Sequence, residues 1–106
     1  MPKKSTAPKQ IDLFVSVVIV TDPKTKNVSS EVMKLSSLLP ERYSNYEIIV
    51  VDNHLARKEL SKLTDLLATT ACVRVVRLSR LYAKDICVYA GIEAAIGDIC
   101  QQICYF

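Results

Sequence analysis

Two runs of largely β-branched residues constrain this chain most: Leu13-Phe14-Val15-Ser16-Val17-Val18-Ile19-Val20 and Tyr46-Glu47-Ile48-Ile49-Val50-Val51. Neither alternates with polar residues over its length, so neither suits a strand with one wet face. Each is expected to be a strand buried on both faces of a parallel sheet. Parallel neighbours cannot be joined by a tight turn and need a crossover of a dozen or more residues, usually helical. Even the first run is far short of the roughly 18 apolar residues of a transmembrane helix, so no membrane span is expected.

The segments around these runs supply the crossovers. After the turn Thr21-Asp22-Pro23, Asn27 or Ser29 is expected to cap a helix in which Val28, Val32, Leu35 and Leu39 recur at helical spacing, and Pro40 is expected to stop it. The second strand closes on Asp52-Asn53. Leu60, Leu63 and Leu67 form one stripe of a helix from about Ala56 to Thr69. Val73-Arg74-Val75-Val76-Arg77-Leu78 reads as a third strand, and its two arginines suit an edge. A helix is expected over Ala83–Ile96, with Ile86, Ala90, Glu93 and Ala94 on its period and Gly97 as its stop. Ile99 to Phe106 has strand composition. The order βαβαβαβ predicts an α/β fold: a Rossmann-like parallel sheet with right-handed crossovers and helices on both faces, a three-layer α/β/α arrangement.

At 106 residues the chain has room for one core. Residues 1–10, MPKKSTAPKQ, have no apolar face and read as a disordered basic arm, leaving 11–106 as a single domain. The net charge of +3 resides in Lys3, Lys4 and Lys9; from Gln10 onward eleven cations meet eleven acids. A secretory leader is not expected, because Asp12 interrupts the approach to the apolar run and no small-residue cleavage site follows. The cysteines Cys72, Cys87, Cys100 and Cys104 contain no C-x-x-C, and the one histidine, His54, is remote from them in sequence. Neither a zinc site nor a redox pair fits, and thiols packed as small hydrophobes in a cytoplasmic protein are expected instead.

Ligands of open parallel sheets bind beyond the carboxyl ends of the strands. Those ends carry Thr21-Asp22, Asp52-Asn53 and Ser79-Arg80. Carboxylate or amide groups there suit a base or ribose and cations suit a diphosphate, although solvated turns have the same composition. With two glycines in the whole chain, neither G-x-G-x-x-G nor G-K-[ST] is present. The acidic cluster of a phosphoacceptor domain is absent too. Arg74, Arg77, Arg80 and Lys84 raise a nucleic-acid reading, but the neutral body and the lack of interleaved aromatics oppose it, and no nucleic-acid partner is expected.

Four segments in order resemble the N-terminal half of glycosyltransferase family 2: Ser16-Val17-Val18-Ile19; Tyr46 to Asp52; Val73 to Arg80; and Ala90-Gly91-Ile92-Glu93-Ala94-Ala95-Ile96-Gly97-Asp98-Ile99. The resemblance runs from about Val15 to Ile99. Its L-S-R segment and A-G-x-x-A-A-x-G-D helix end are most similar to polyprenyl-phosphate sugar transferases of the dolichol-phosphate mannose synthase type. It implies a GT-A nucleotide-diphospho-sugar fold, a UDP- or GDP-sugar donor, and Mg2+ or Mn2+ held by a D-x-D motif.

Position by position, the implied functions are kept unevenly. The family's P-x-Y-N-E falls on Val20 to Lys24 without a match, so Asp22 receives no role. Its D-D-G-S becomes Asp52-Asn53-His54-Leu55, and its L-S-R-N-x-G keeps Leu78, Ser79 and Arg80, followed by Lys84. The resemblance therefore implies Asp52 and Asn53 at the base or ribose and Arg80 and Lys84 near the phosphates. For Asp52 the alternative is a helix cap, for Arg80 a solvated cation, and Asp98 is expected to be a turn residue. The D-x-D falls on Cys104-Tyr105-Phe106, which carry no carboxylate, so no metal cofactor and no catalytic residue are expected in this chain. The family's acceptor half would lie beyond Phe106. A nucleotide-sugar-binding half-domain, inactive alone, is the expectation. The alternative is a non-catalytic interaction or oligomerisation module joined to a second copy or partner through its last strand.

Overall fold

The computed structural model describes residues 11–95 and 99–104. The expected arm over residues 1–10, the Gly97 stop, the Asp98 turn and the end of the last strand at Tyr105 and Phe106 lie outside the described residues. The elements are β1 (Ile11–Val20), α1 (Val28–Arg42), β2 (Tyr43–Asp52), α2 (Arg57–Leu67), β3 (Val73–Arg77), α3 (Lys84–Ala94) and β4 (Ile99–Cys104). They form an α/β fold of Rossmann-like type around one parallel sheet ordered β3-β2-β1-β4.

Both apolar runs are buried on both faces. Val15, Val17 and Ile19 of β1 and Ile48 and Val50 of β2 pack on one side with Val28, Val32 and Leu39 of α1 and Leu63 of α2. Val18 and Val20, with Ile49 and Val51, pack on the other side against Cys87 of α3. Burying each such side chain contributes about 1.5–3 kcal/mol before entropy is set against it. This accounts for the lack of alternation in the sequence: residues 15–20 of β1 and 47–52 of β2 are buried without a break. The less apolar β3 stands at one edge, as its arginines suggest, and β4 pairs with β1 at the other.

Several local expectations change in the structure. Asn27 stands at the start of α1 in the left-handed region (φ 62°) and makes no side-chain cap; Ser29 lies inside the helix. The tether here comes from α2, where the buried Glu59 accepts a hydrogen bond from the Asn27 backbone N–H (3.0 Å). Pro40 does not stop α1, which runs on to Arg42 and closes with the Tyr43 N–H on the Leu39 carbonyl. So near the C-terminus, proline forgoes one intrahelical hydrogen bond and its φ still suits the turn. α2 begins at Arg57 and ends at Leu67, its exit tightened by bonds from the Ala68 and Thr69 N–H groups to the Asp65 and Leu66 carbonyls.

The largest correction concerns α3. Its buried positions are Cys87 and Gly91, whereas Ile86 and Glu93, expected on the inward period, are exposed. Small residues let the helix approach the sheet closely. A Cβ on Gly91 would overlap Val18 Cγ1 and stand 3.1 Å from Val51 Cγ2. At its C-terminus, Arg74 of β3 donates to the Ala94 carbonyl and to Glu47 Oε1 (2.9 Å from Nη2), and Ser16 donates to Glu47 Oε2 (2.6 Å). This chain of bonds ties three strands to the end of α3 where its carbonyls would otherwise lack partners. Cys72 and Cys87 are free thiols, and burial raises the pKa of Cys87. No helix among the described residues is long and apolar enough to cross a membrane.

Two substitutions test this packing. Gly91→Ala is expected to destabilise the protein by about 1–3 kcal/mol through overpacking, although alanine favours a helix by about 1 kcal/mol. A urea midpoint at or above that of the unsubstituted protein would contradict the close approach of α3. His54, exposed at φ 59°, pays for a left-handed backbone that glycine adopts freely. His54→Gly is expected to stabilise the fold by about 1 kcal/mol, read as a rise in the same midpoint.

Candidate functional site

The sheet order sets where a site can stand. Successive crossovers carry the chain from β1 to β2 to β3 toward one edge, and the next carries it back to β4 on the far side of β1. The reversal therefore lies between β1 and β4, and in open sheets of this kind the crevice forms at the carboxyl ends beside it. A cleft of about 370 Å3 opens at these ends. Val20 and Thr21 line it from the end of β1, Asp22, Pro23 and Lys24 from the turn that follows, and Asn53 from the end of β2. Leu81, Tyr82 and Lys84 complete it from the segment that leads into α3.

Each wall is fixed by local hydrogen bonds. Thr21 Oγ1 donates to the Val51 carbonyl (2.7 Å) and accepts from the Asn53 N–H (3.4 Å), which clamps the ends of β1 and β2 together. In the next turn, Asp22 Oδ1 accepts from the Lys24 N–H (2.7 Å) and from Thr25 Oγ1 (3.2 Å), while the Asp22 N–H donates to Thr25 Oγ1 (2.9 Å). Pro23 supplies the φ that this turn needs. Across the cleft, Asn53 Oδ1 accepts from the Tyr82 N–H and Asn53 Nδ2 donates to the Tyr82 carbonyl, both at 2.9 Å.

Of the four residues singled out in the sequence, Asn53 and Lys84 line the cleft; Asp52 and Arg80 are not among its lining residues. Asp52 Oδ1 accepts from the Leu55 N–H (2.8 Å), and its Oδ2 stands 3.6 Å from Arg77 Nε. It ties the β2–α2 turn and is not an N-cap of α2, which begins after Ala56. Arg80 is exposed over the Tyr82 ring, 5.5 Å from its centroid, with Nε donating to the phenol oxygen (3.3 Å). That hydrogen bond lowers the Tyr82 pKa. Sequence reasoning gave no role to Asp22, yet it lines the cleft; its place at the end of β1 was the available signal. Nothing local marked Tyr82, because its position depends on Asn53, 29 residues away in sequence.

The cleft offers two ammonium groups, Lys24 and Lys84, against one carboxylate, Asp22. The N-terminus of α3 lies beside the cleft at Lys84; Ala83 makes no side-chain cap, and Asp85 in the first turn accepts from the Ile86 N–H (3.0 Å). The two ammonium groups favour an anion. They do not favour a hard divalent cation: Asp22 is the cleft's sole carboxylate among the described residues and already accepts two hydrogen bonds on one oxygen. Among the described residues no group of three or more His, Cys, Asp or Glu side chains could hold a metal ion. Among the described residues Arg74 pairs with Glu47 and Arg77 with Asp52, which takes both arginines out of a continuous basic surface.

No family profile matches the chain. Among curated proteins, an uncharacterised glycosyltransferase of the cyanobacterium Synechocystis is 31% identical over 84 residues, covering 79% of this chain and 26% of the relative. The chain thus spans about a quarter of the length of the curated relative that it matches. This similarity, over a parallel α/β sheet with a cleft at its carboxyl ends, supports a glycosyltransferase-like relationship.

Proposed function

We propose that the chain is a nucleotide-sugar-binding half of a GT-A domain of the family 2 type, taking a UDP- or GDP-sugar in the cleft at the strand ends and not transferring the sugar by itself. The observation that carries this reading is the cleft's composition. Apolar surface from Val20, Pro23, Leu81 and Tyr82 suits a flat heterocycle, and Lys24 and Lys84 stand where a diphosphate would gain charge-assisted hydrogen bonds. Similarity to a glycosyltransferase supports the sugar moiety. In this reading Asn53 belongs to the base side of the cleft, Lys84 to the phosphate side, and Asp52 and Arg80 support the loops behind them. One carboxylate among the described residues of the cleft gives little support for a leaving diphosphate through a metal ion, which favours binding over transfer.

A second reading, an interaction module, is favoured by one feature: Leu81, Ile86, Tyr89 and Ile92 are large apolar residues exposed along α3 and its approach. A purified chain that runs as a dimer or larger in size-exclusion chromatography and binds no nucleotide would put that reading first.

Isothermal calorimetry with UDP, GDP and their sugars, with and without Mn2+, tests the first reading. Heat is expected with at least one of the four and is expected to be unchanged by the metal. Lys84→Ala is expected to weaken that binding about tenfold, the loss of one charge-assisted contact. Silence with all four ligands would remove the nucleotide reading. Binding or sugar transfer that requires Mn2+ would remove the metal-independent part of it.

A further inference from the structure

Asn53 is buried, at 3% exposure, at a point where two segments with no regular structure must be held together. Its own backbone is fixed from below by Thr21, which also holds the Val51 carbonyl. Its side chain then bridges to one residue only through that residue's backbone, accepting from the Tyr82 N–H and donating to the Tyr82 carbonyl, 2.9 Å each way. These partners leave one orientation for the amide, since an N–H must meet the oxygen and a carbonyl must meet the nitrogen. The segment between β3 and α3 has one other backbone tether to β2, from the Leu78 N–H to the Asp52 carbonyl (3.1 Å). Leu81, Tyr82 and Lys84, which form the cleft's outer wall, all follow it.

We propose that Asn53 is a positioning residue, whose carboxamide latches the β3–α3 segment to the end of β2 and thereby builds the wall that carries Leu81, Tyr82 and Lys84. The latch needs a donor and an acceptor in one short side chain. Alanine supplies neither. A carboxylate supplies acceptors only, and would set an oxygen against the Tyr82 carbonyl; the protonated acid restores both bonds. The role in ligand binding rests on the nucleotide reading above, but the latch itself is read without a ligand.

The experiment is hydrogen exchange of the Tyr82 amide, followed by NMR and referred to its intrinsic rate, in the unsubstituted protein, N53A and N53D. In N53D, protection is expected to fall about tenfold near about pH 8 and to recover toward about pH 4 as the introduced carboxyl protonates. In N53A it is expected to stay low throughout. The neighbouring titratable and charged groups are Asp22, Lys24, Asp52, His54, Lys84, Tyr82 itself, Arg80 on the Tyr82 phenol and Cys87, whose thiol faces the Tyr82 carbonyl (3.9 Å); they are common to all three proteins, so the unsubstituted profile removes their contribution. UDP affinity in N53D is expected to follow the same pH course, which direct contact between Asn53 and ligand would not impose on the Tyr82 amide. Unchanged Tyr82 protection in both variants would overturn the latch, as would loss in N53D without recovery in acid. Should either variant not fold, a through-hydrogen-bond coupling between Asn53 Nδ2 and the Tyr82 carbonyl carbon in the unsubstituted protein decides the point, its absence counting against the proposal. Failure of every nucleotide to bind while the exchange behaves as expected would sink the ligand reading and leave the latch standing.

Discussion

The contact of α3 with β1 at Gly91 is the constraint on which the rest of the arrangement depends. Two strands with apolar side chains on both faces are stable only when both faces are covered, and α3 is the described helix that covers the second. A helix carrying a Cβ at position 91 would have to stand further from Val18, opening space over Val18, Val20, Ile49 and Val51. The same contact decides the height of the helix above the sheet. It therefore decides where its first residue, Lys84, meets the cleft.

Polar bonds fix α3 to the sheet and close the strands' carboxyl ends. In the middle of β1 and β2 and at the start of β3, Ser16, Glu47 and Arg74 form a chain that finishes on the Ala94 carbonyl, so the C-terminus of α3 is held by charge as well as by packing. At the carboxyl ends, Thr21 and Asn53 replace the ladder that the strands can no longer provide. The first set places a cation where the α3 dipole is negative; at the helix's other end Lys84, its first residue, lines the cleft.

The central strands, the element order and the edge position of β3 were legible because they depend on composition over many residues. Uninterrupted β-branched runs bury both faces, and no other common arrangement of a chain this size satisfies them. The inward face of α3 was not legible: its period admitted Ile86 and Glu93, and the choice of Cys87 and Gly91 instead was made by how near the sheet lies. The cleft's lining divided in the same way. Asn53 stood at a strand end and in the family resemblance, and Lys84 was singled out through the resemblance alone. Asp22 was passed over for want of a match to a pattern, and Tyr82 for want of any local mark.

By itself the sequence determined that alternating strands and helices would build a parallel sheet, and that polar groups would gather at its carboxyl ends. Both follow from local hydrophobicity and from the geometry of crossovers, which act over neighbouring residues. Only the tertiary structure decided that Asp52 would serve a turn, that Arg80 would lie over Tyr82, and that Asn53 would grip the backbone of a segment 29 residues further on. Those outcomes depend on which hydrogen-bonding groups come within about 3 Å once the sheet has closed, a distance that sequence spacing does not encode.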